Sequence, residues 1–190
     1  MATDEPVPSP ALLGVLSDTH GRAVACRAGV ELLQDLGVEA FVHCGDIGDF
    51  GPYGDPKPVL DVLAGTGCHY VWGNNDGAAP ADEKYARDLG LDPLGDRGHF
   101  MIGDVRIRVE HGDDLTAIRR LARDAEAGRD AGCDLLLTGH SHAAHDRRLG
   151  LVRWVNPGAL HRATTYTVAT IDIRRLGDDD AVVFHALPRA

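Results

Sequence analysis

Aromatic residues are scarce, at 5% of 190 residues, and no apolar run approaches the ~18 residues that a membrane-spanning helix needs. Basic residues are also few. With 19 Lys and Arg against 29 Asp and Glu, the net charge is −10, which argues against double-stranded nucleic acid as a partner because such binders carry a basic footprint. The start, Met1-Ala2-Thr3-Asp4-Glu5-Pro6, has acid where a secretory signal has base, so a cytoplasmic location is expected. The four cysteines, Cys26, Cys44, Cys68 and Cys133, form no C-x-x-C pair. That excludes a zinc ribbon or a dithiol redox motif and leaves them as small core residues. What is abundant is glycine, 23 of 190, with 44% apolar residues, as suits one loop-rich α/β domain with a real core. The sequence leaves a homo-oligomer open.

Residues 1–10, with Pro6, Pro8 and Pro10, read as a flexible arm, and residues 11–190 as the domain. The run Ala11–Leu16 has the continuous apolar character of a strand buried on both faces. A helix follows over Arg22–Gly37, where Val24, Ala28, Leu32, Leu33 and Leu36 fall near helical spacing. Further strands are predicted at Ala40–Cys44, His69–Trp72, Val105–Val109 and Asp134–Thr138, with helices around Val59–Ala64, Ala81–Leu89 and Leu115–Arg129. Beyond residue 150 the pattern changes. Leu151–Val155, Thr165–Ile173 and Ala181–Leu187 read as a β meander, and Asp178-Asp179-Asp180 as a turn.

Each of the first five strands runs into polar residues: Ser17-Asp18-Thr19-His20, Gly45-Asp46, Gly73-Asn74-Asn75-Asp76, His111-Gly112-Asp113 and Gly139-His140-Ser141-His142. Open α/β sheets bind ligands at the carboxyl ends of their strands. One such motif means little, because 23 Asp and 10 His in this chain give about one D-x-H by chance. Five clusters in order at five strand ends are not a chance expectation. Asp18, His20, Asp46, Asn74, His111, His140 and His142 offer oxygen and imidazole donors without a thiolate, a set suited to Mn, Fe, Zn, Co or Ni. Seven donors exceed one tetrahedral site and fit two divalent ions sharing a bridge, for which Asp46 is the natural carboxylate. Two such ions, less Asp18, Asp46 and a bridging hydroxide, leave about one positive charge to attract a phosphate. Phosphoester hydrolysis is the leading chemistry.

These five blocks resemble those of the calcineurin-like metallophosphoesterase superfamily, and the turn Asn156-Pro157-Gly158-Ala159 resembles its small bacterial and archaeal phosphodiesterase branch, which is related to a retromer scaffold subunit. The resemblance implies a four-layer α/β/β/α sandwich of a single domain. It implies a first ion on Asp18, His20, Asp46 and His142 and a second on Asp46, Asn74, His111 and His140, with manganese placed first among the candidates. Asp46, Asn74 and His140 are the residues expected to carry catalysis, and Asp76 is expected to orient a ligand or substrate group. Two positions depart from the pattern. Phosphomonoesterase members have a histidine where this chain has Asn75, an amide that cannot act as a general acid at neutral pH. Where the fourth block often reads His-Gly-His, this chain has Asp113, which either approaches the second ion or faces solvent.

The expected activity is therefore hydrolysis of small phosphodiesters by a hydroxide held between two ions. The competing readings are a phosphomonoesterase, a metal-binding scaffold for protein partners, and a nuclease, the last disfavoured by the net charge. Outside the blocks, His43, His69, His99, His145, His161 and His185 are read as structural or surface residues. Arg22 is read as solvated rather than phosphate-contacting, and Phe50 and Tyr53 as loop aromatics that need no function.

Overall fold

The computed structural model describes residues 11–49, 54–77 and 79–188, so the arm at 1–10 and the aromatics Phe50 and Tyr53 lie outside the described residues. Strands β1 (Leu12–Leu16), β2 (Ala40–His43), β3 (His69–Tyr70) and β4 (Asp92–Pro93) run parallel. They are joined through helices α1 (Ala23–Asp35), α2 (Lys57–Leu63) and α3 (Pro80–Asp88). The chain then forms β5 (Arg97–Ile102), β6 (Val105–Glu110), α4 (Leu115–Glu126), β7 (Leu135–Leu137), β8 (His145–Leu149) and β9 (Val152–Asn156). It returns through β10 (Tyr166–Asp172) and β11 (Val182–Leu187). One sheet has the order β11-β10-β1-β2-β3-β4 and the other β5-β6-β7-β9-β8.

Alternation along the strands builds the layers. Leu13 and Val15 of β1 point between the sheets, as do Leu135 and Leu137 of β7, while Leu16 meets α1 and Leu136 meets α4. The result is α1–α3, sheet, sheet, α4, the four-layer arrangement implied by the sequence. All four cysteines are buried thiols, as expected of core residues.

The final quarter is not one meander. β9 joins β7 in the second sheet, whereas β10 crosses to pair antiparallel with β1 in the first. A meander needs consecutive strands to be neighbours, and the apolar inner face of β10, including Ala169 and Ile171, is instead buried against the other sheet. Asp178-Asp179-Asp180 does form a turn, a short 3-10 segment at Asp179–Ala181.

Arg153 ties that turn to the second sheet. Its side chain is 2% exposed, donates to both carboxylate oxygens of Asp146 at 2.9 and 2.6 Å, and donates to the carbonyls of Leu176 and Asp178 at 2.8 and 2.5 Å. Arg153→Met is expected to destabilise the protein by about 3 kcal/mol, since it removes the donor to the Asp146 carboxylate and to three carbonyls, those of Leu176, Asp178 and Asp179. Chemical denaturation measures it; a loss below about 1 kcal/mol would show that water replaces the guanidinium.

Candidate metal centre

The carboxyl ends of β1, β2, β3, β6 and β7 lie along one edge shared by both sheets, and backbone hydrogen bonds lace them together. Asp18 N–H donates to Gly45 O at 3.0 Å, His20 N–H to Asp46 O at 2.9 Å and Gly139 N–H to His111 O at 2.8 Å. Close approach requires glycine here. A Cβ on Gly139 would collide with the Ser17 and Asp18 side chains.

Among described non-glycine residues, left-handed φ occurs at Asp18, His20, Asp46, His140, His142 and Arg162. Five of these six are predicted ligands. Such a conformation is costly and persists where the surroundings hold it, commonly at functional sites.

Donor atoms of Asp18, His20, Asp46 and His142 all lie within 4.8 Å of one another, close enough to hold one ion. Asp18 is fully buried, and His20 and Asp46 are nearly so. His20 Nε2 stands 3.4 Å from Asp46 Oδ2 and 3.4 Å from His142 Nε2, and His142 Nε2 stands 3.2 Å from Asp18 Oδ1. On the far side of Asp46, His111 Nε2 lies 3.3 Å from Oδ2. The His140 ring lies edge-on to His111 at 5.1 Å, and exposed Asn74 lines the same cavity as His111. The predicted first set is therefore gathered tightly and the predicted second set more loosely.

His111 supplies the test of whether a cation suits this place. Its Nδ1–H donates to Cys44 O at 2.9 Å, which fixes the tautomer and leaves Nε2 as a lone pair. That Nε2 is buried without a hydrogen-bond partner and faces a carboxylate oxygen. Two electron-rich atoms in that position need a positive charge between them. Without a metal a proton serves: burial lowers the His111 pKa, but Asp46 outweighs it and pushes the ring up to about 9. Burial would raise the Asp46 carboxyl, yet His111 and the Asn75 donors hold it well below the usual range. His142 is raised by its contact with Asp18, whereas burial lowers His20. Donor set and electrostatics both fit divalent cations.

The supporting residues are as specific as the ligands. Asn75 turns onto Asp46: its backbone N–H donates to Oδ1 at 2.9 Å and its side-chain amide to Oδ2 at 2.7 Å. Asp76 accepts the N–H groups of Gly73, Gly48 and Ile47 at 2.7, 2.7 and 3.2 Å, stapling the third block to the second, and burial pushes its carboxyl up to about 6. Asp113 faces solvent and the cavity.

His43, read as structural, is fully buried between Gly45 N–H, which it accepts at Nδ1, and Thr19 Oγ1, 3.1 Å from Nε2. Burial lowers its pKa from 6.5 to about 4. The unfolded chain therefore binds the extra proton between those values. Stability present above pH 6.5 is lost as pH falls toward 4, by about 3 kcal/mol in all at 1.36 kcal/mol per pH unit. Denaturation of wild type and His43→Gln across pH 4–7.5 should show a steeper slope in wild type, because the variant keeps only the contribution of the other histidines that burial lowers, such as His161; parallel curves would exclude a buried neutral His43.

His161, read as a structural or surface residue, stands beside the ligand cluster. Its ring sits 5.2 Å from His20, and its Nδ1 is buried without a partner. Burial, and then His20, Arg22 and Arg162, lower its pKa to about 4. Arg162 Nη2 reaches 3.5 Å from Asp49 Oδ2, which is itself 3.5 Å from His20 Nδ1. Asp49, His161 and Arg162 thus border the cluster, although no block contains them. The available signal was the Asn156-Pro157-Gly158 turn. Asn156 Nδ2 donates to Gly139 O at 2.5 Å, and Leu160 N–H donates to Ser17 O at 3.3 Å, drawing the following residues to the first block.

The sequence profile of the calcineurin-like phosphoesterase superfamily domain matches residues 12–176. The chain belongs to that superfamily. A phosphodiesterase of Methanocaldococcus jannaschii is 24% identical to this superfamily member over 77% of this chain and 82% of its own. A solved archaeal phosphodiesterase superposes with a TM-score of 0.76 at 20% identity, covering 93% of this chain and 99% of that one. The wild-type Vps29 of Entamoeba histolytica in complex with zinc superposes at 0.56 with 18% identity, covering 94% and 99%. Both structural likenesses speak to the fold. Among the described residues, no helix is long and apolar enough to cross a membrane.

Proposed function

We propose that this metallophosphoesterase hydrolyses small phosphodiesters with two divalent ions. The observation that carries the reading is the buried, unpartnered Nε2 of His111 facing Asp46 Oδ2, with the Asp18, His20 and His142 donors on the other side of the same carboxylate. Asp18, His20, Asp46 and His142 would hold one ion, and Asp46, Asn74, His111 and His140 the other. When bound, such ions supply Lewis acidity toward phosphoryl oxygens and make a water acidic enough to attack phosphorus at neutral pH. Manganese is our first choice, and iron, zinc, nickel and cobalt suit the same donors.

The chain's own residues hold this arrangement in place. Cys44 O sets the His111 tautomer, Asp18 accepts the His140 backbone N–H at 3.1 Å, and the two Asn75 donors lock the Asp46 carboxylate. Asn75 bears on the substrate class. An amide tied to Asp46 has no proton to give at neutral pH, so a poor leaving group of an alkyl monoester receives no help from this position. Diesters with good leaving groups are favoured. The scaffold alternative finds no feature of the centre in its favour, because a partner surface has no need of strained, buried ligands. We place the enzyme in the cytoplasm, in line with four buried free thiols, and outside double-stranded nucleic acid metabolism.

The test is hydrolysis of bis(p-nitrophenyl) phosphate beside p-nitrophenyl phosphate by metal-stripped protein titrated with Mn²⁺. The expected result is turnover that rises with metal and is faster for the diester. Faster monoester turnover would move the phosphomonoesterase reading to first place, and binding of two ions without turnover of either ester would favour the scaffold.

A further inference from the structure

Three imidazoles of the proposed ligand set face the cluster with one nitrogen and a protein acceptor with the other. His111 does so through Cys44 O. His142 turns Nε2 to the cluster, 3.2 Å from Asp18 Oδ1 and 3.4 Å from His20 Nε2, which leaves Nδ1 for its other partner. That partner is the backbone of Arg162, and since the hydrogen bond favours the protonated ring, it is the carbonyl oxygen that accepts. His20 also turns Nε2 inward, and its Nδ1 stands 3.5 Å from Asp49 Oδ2, the oxygen that Arg162 Nη2 approaches at 3.5 Å. Both histidines of the proposed first ion therefore lean toward Arg162.

Arg162 has a second distinction. It is the one described non-glycine residue with a left-handed φ, 51°, that is not among the predicted ligands. An arginine in that conformation is costly and persists where the surroundings hold it there. The side chain offers little compensation, because the guanidinium is 63% exposed and meets Asp49 only at 3.5 Å, a pairing of the class that contributes little. The carbonyl offers more, since a partner that orients a metal-binding histidine is worth about 10–100-fold in metal affinity. The dihedrals at residue 162 set where that carbonyl points. The segment leading to it is fastened to both neighbouring blocks and to β10: Asn156 Nδ2 donates to Gly139 O at 2.5 Å, Leu160 N–H to Ser17 O at 3.3 Å, and Thr167 Oγ1 to Pro157 O at 2.7 Å.

We infer that Arg162 is a positioning residue of the first ion's site and acts through its main-chain carbonyl, which fixes the His142 ring with Nε2 toward the ion. The left-handed backbone at residue 162 is the conformation that delivers the carbonyl, and the guanidinium is secondary. The inference rests on the proposed ligand set of that ion and is independent of the substrate class.

Two substitutions separate backbone from side chain. Asparagine enters the left-handed region readily and valine does not, while both remove the guanidinium, so Arg162→Asn and Arg162→Val differ chiefly in how well they hold the carbonyl. Metal-stripped protein titrated with Mn²⁺ and followed by calorimetry should show one binding step weakened about tenfold or more in Arg162→Val. In Arg162→Asn the same step should weaken by no more than about threefold. It should be the step that His142→Ala abolishes. A second readout needs no metal: ¹⁵N NMR of the imidazoles at alkaline pH should find His142 as the Nδ1–H tautomer in wild type and Arg162→Asn, and as a mixture of tautomers in Arg162→Val. Residue 162 is exposed, and far-ultraviolet circular dichroism checks the fold. If the valine protein does not fold, Arg162→Gly against Arg162→Ala makes the same comparison without bulk.

Equal losses in the asparagine and valine proteins would overturn the inference by assigning the effect to the guanidinium. Wild-type Mn²⁺ binding and an unchanged His142 tautomer in Arg162→Val would overturn it as well, and with diester turnover in wild type would leave the phosphodiesterase reading intact. The expected pattern of binding in a protein that hydrolyses neither ester would do the reverse, upholding the role of Arg162 and removing the phosphodiesterase reading.

Discussion

Asp46→Asn protein is expected to bind at least one divalent ion fewer than wild type and to hydrolyse bis(p-nitrophenyl) phosphate at least about a hundredfold more slowly, since even the outer partners of metal ligands are worth 10–100-fold. The substitution keeps the shape and removes the charge. Oδ2 of Asp46 lies 3.4 Å from His20 Nε2 and 3.3 Å from His111 Nε2, so it is the one carboxylate atom facing both halves of the centre. An asparagine there must also present an NH₂ group at either the Oδ1 or the Oδ2 position. Both positions already receive a donor from Asn75, at 2.9 and 2.7 Å, so one hydrogen bond becomes a donor-to-donor contact. Metal content by mass spectrometry of the purified protein, read beside kcat, decides the matter. Wild-type stoichiometry with wild-type turnover would remove Asp46 from the bridge.

Gly73→Ala is expected to damage fold and activity together. A Cβ at residue 73 would meet the backbone nitrogen and the Oδ1 of Asp46, and its Cγ at 2.9 Å. None of these atoms can give way easily, because Asp46 already sits at φ 53° and its carboxylate is held by Asn75. Overpacking of this kind costs about 1–3 kcal/mol. Displacing the carboxylate by ~1 Å adds a loss of about a hundredfold in rate. Gly177→Ala serves as the control, since a Cβ there meets nothing within 4 Å and the backbone is not left-handed. Thermal melts and diester assays on the two variants should separate cleanly; an active, wild-type-stable Gly73→Ala protein would show that β2 and β3 can move apart without loss.

The sequence was legible where its signals are local. β1, β2, β6 and β7 carry apolar or alternating runs that their burial repeats, and α1 and α4 form where they were expected, but α1 buries Ala25, Cys26, Gly29, Val30 and Leu33 and leaves Val24 and Leu36 of the stripe read from the sequence exposed. β8 was missed because His145–Leu149 is a charged edge strand with three exposed central residues, and it has no apolar face to betray it. β5, whose Gly98 packs under Leu94, and the two-residue β4 lack a run long enough to read. His161 escaped for a different reason. Its neighbours His20 and Asp49 are more than a hundred residues away in the chain, and nothing in the Leu160-His161-Arg162 triplet announces them.

What the sequence determined by itself was the succession of five polar clusters at five strand ends, and with it the donor chemistry, because strand periodicity and the residues that stop a strand are short-range properties. The partners of those donors were decided by tertiary structure alone. Pairing of β3 beside β2 turns Asn75 onto Asp46, the passage of the chain from β9 to β10 places His161 and Arg162 against the first block, and the approach of the segments after β3 and β6 puts Trp72, Asp96, Glu110 and Asp113 around one cavity. Charge and hydrogen bonding act over a few ångströms of space, and only the folded chain makes those distances short.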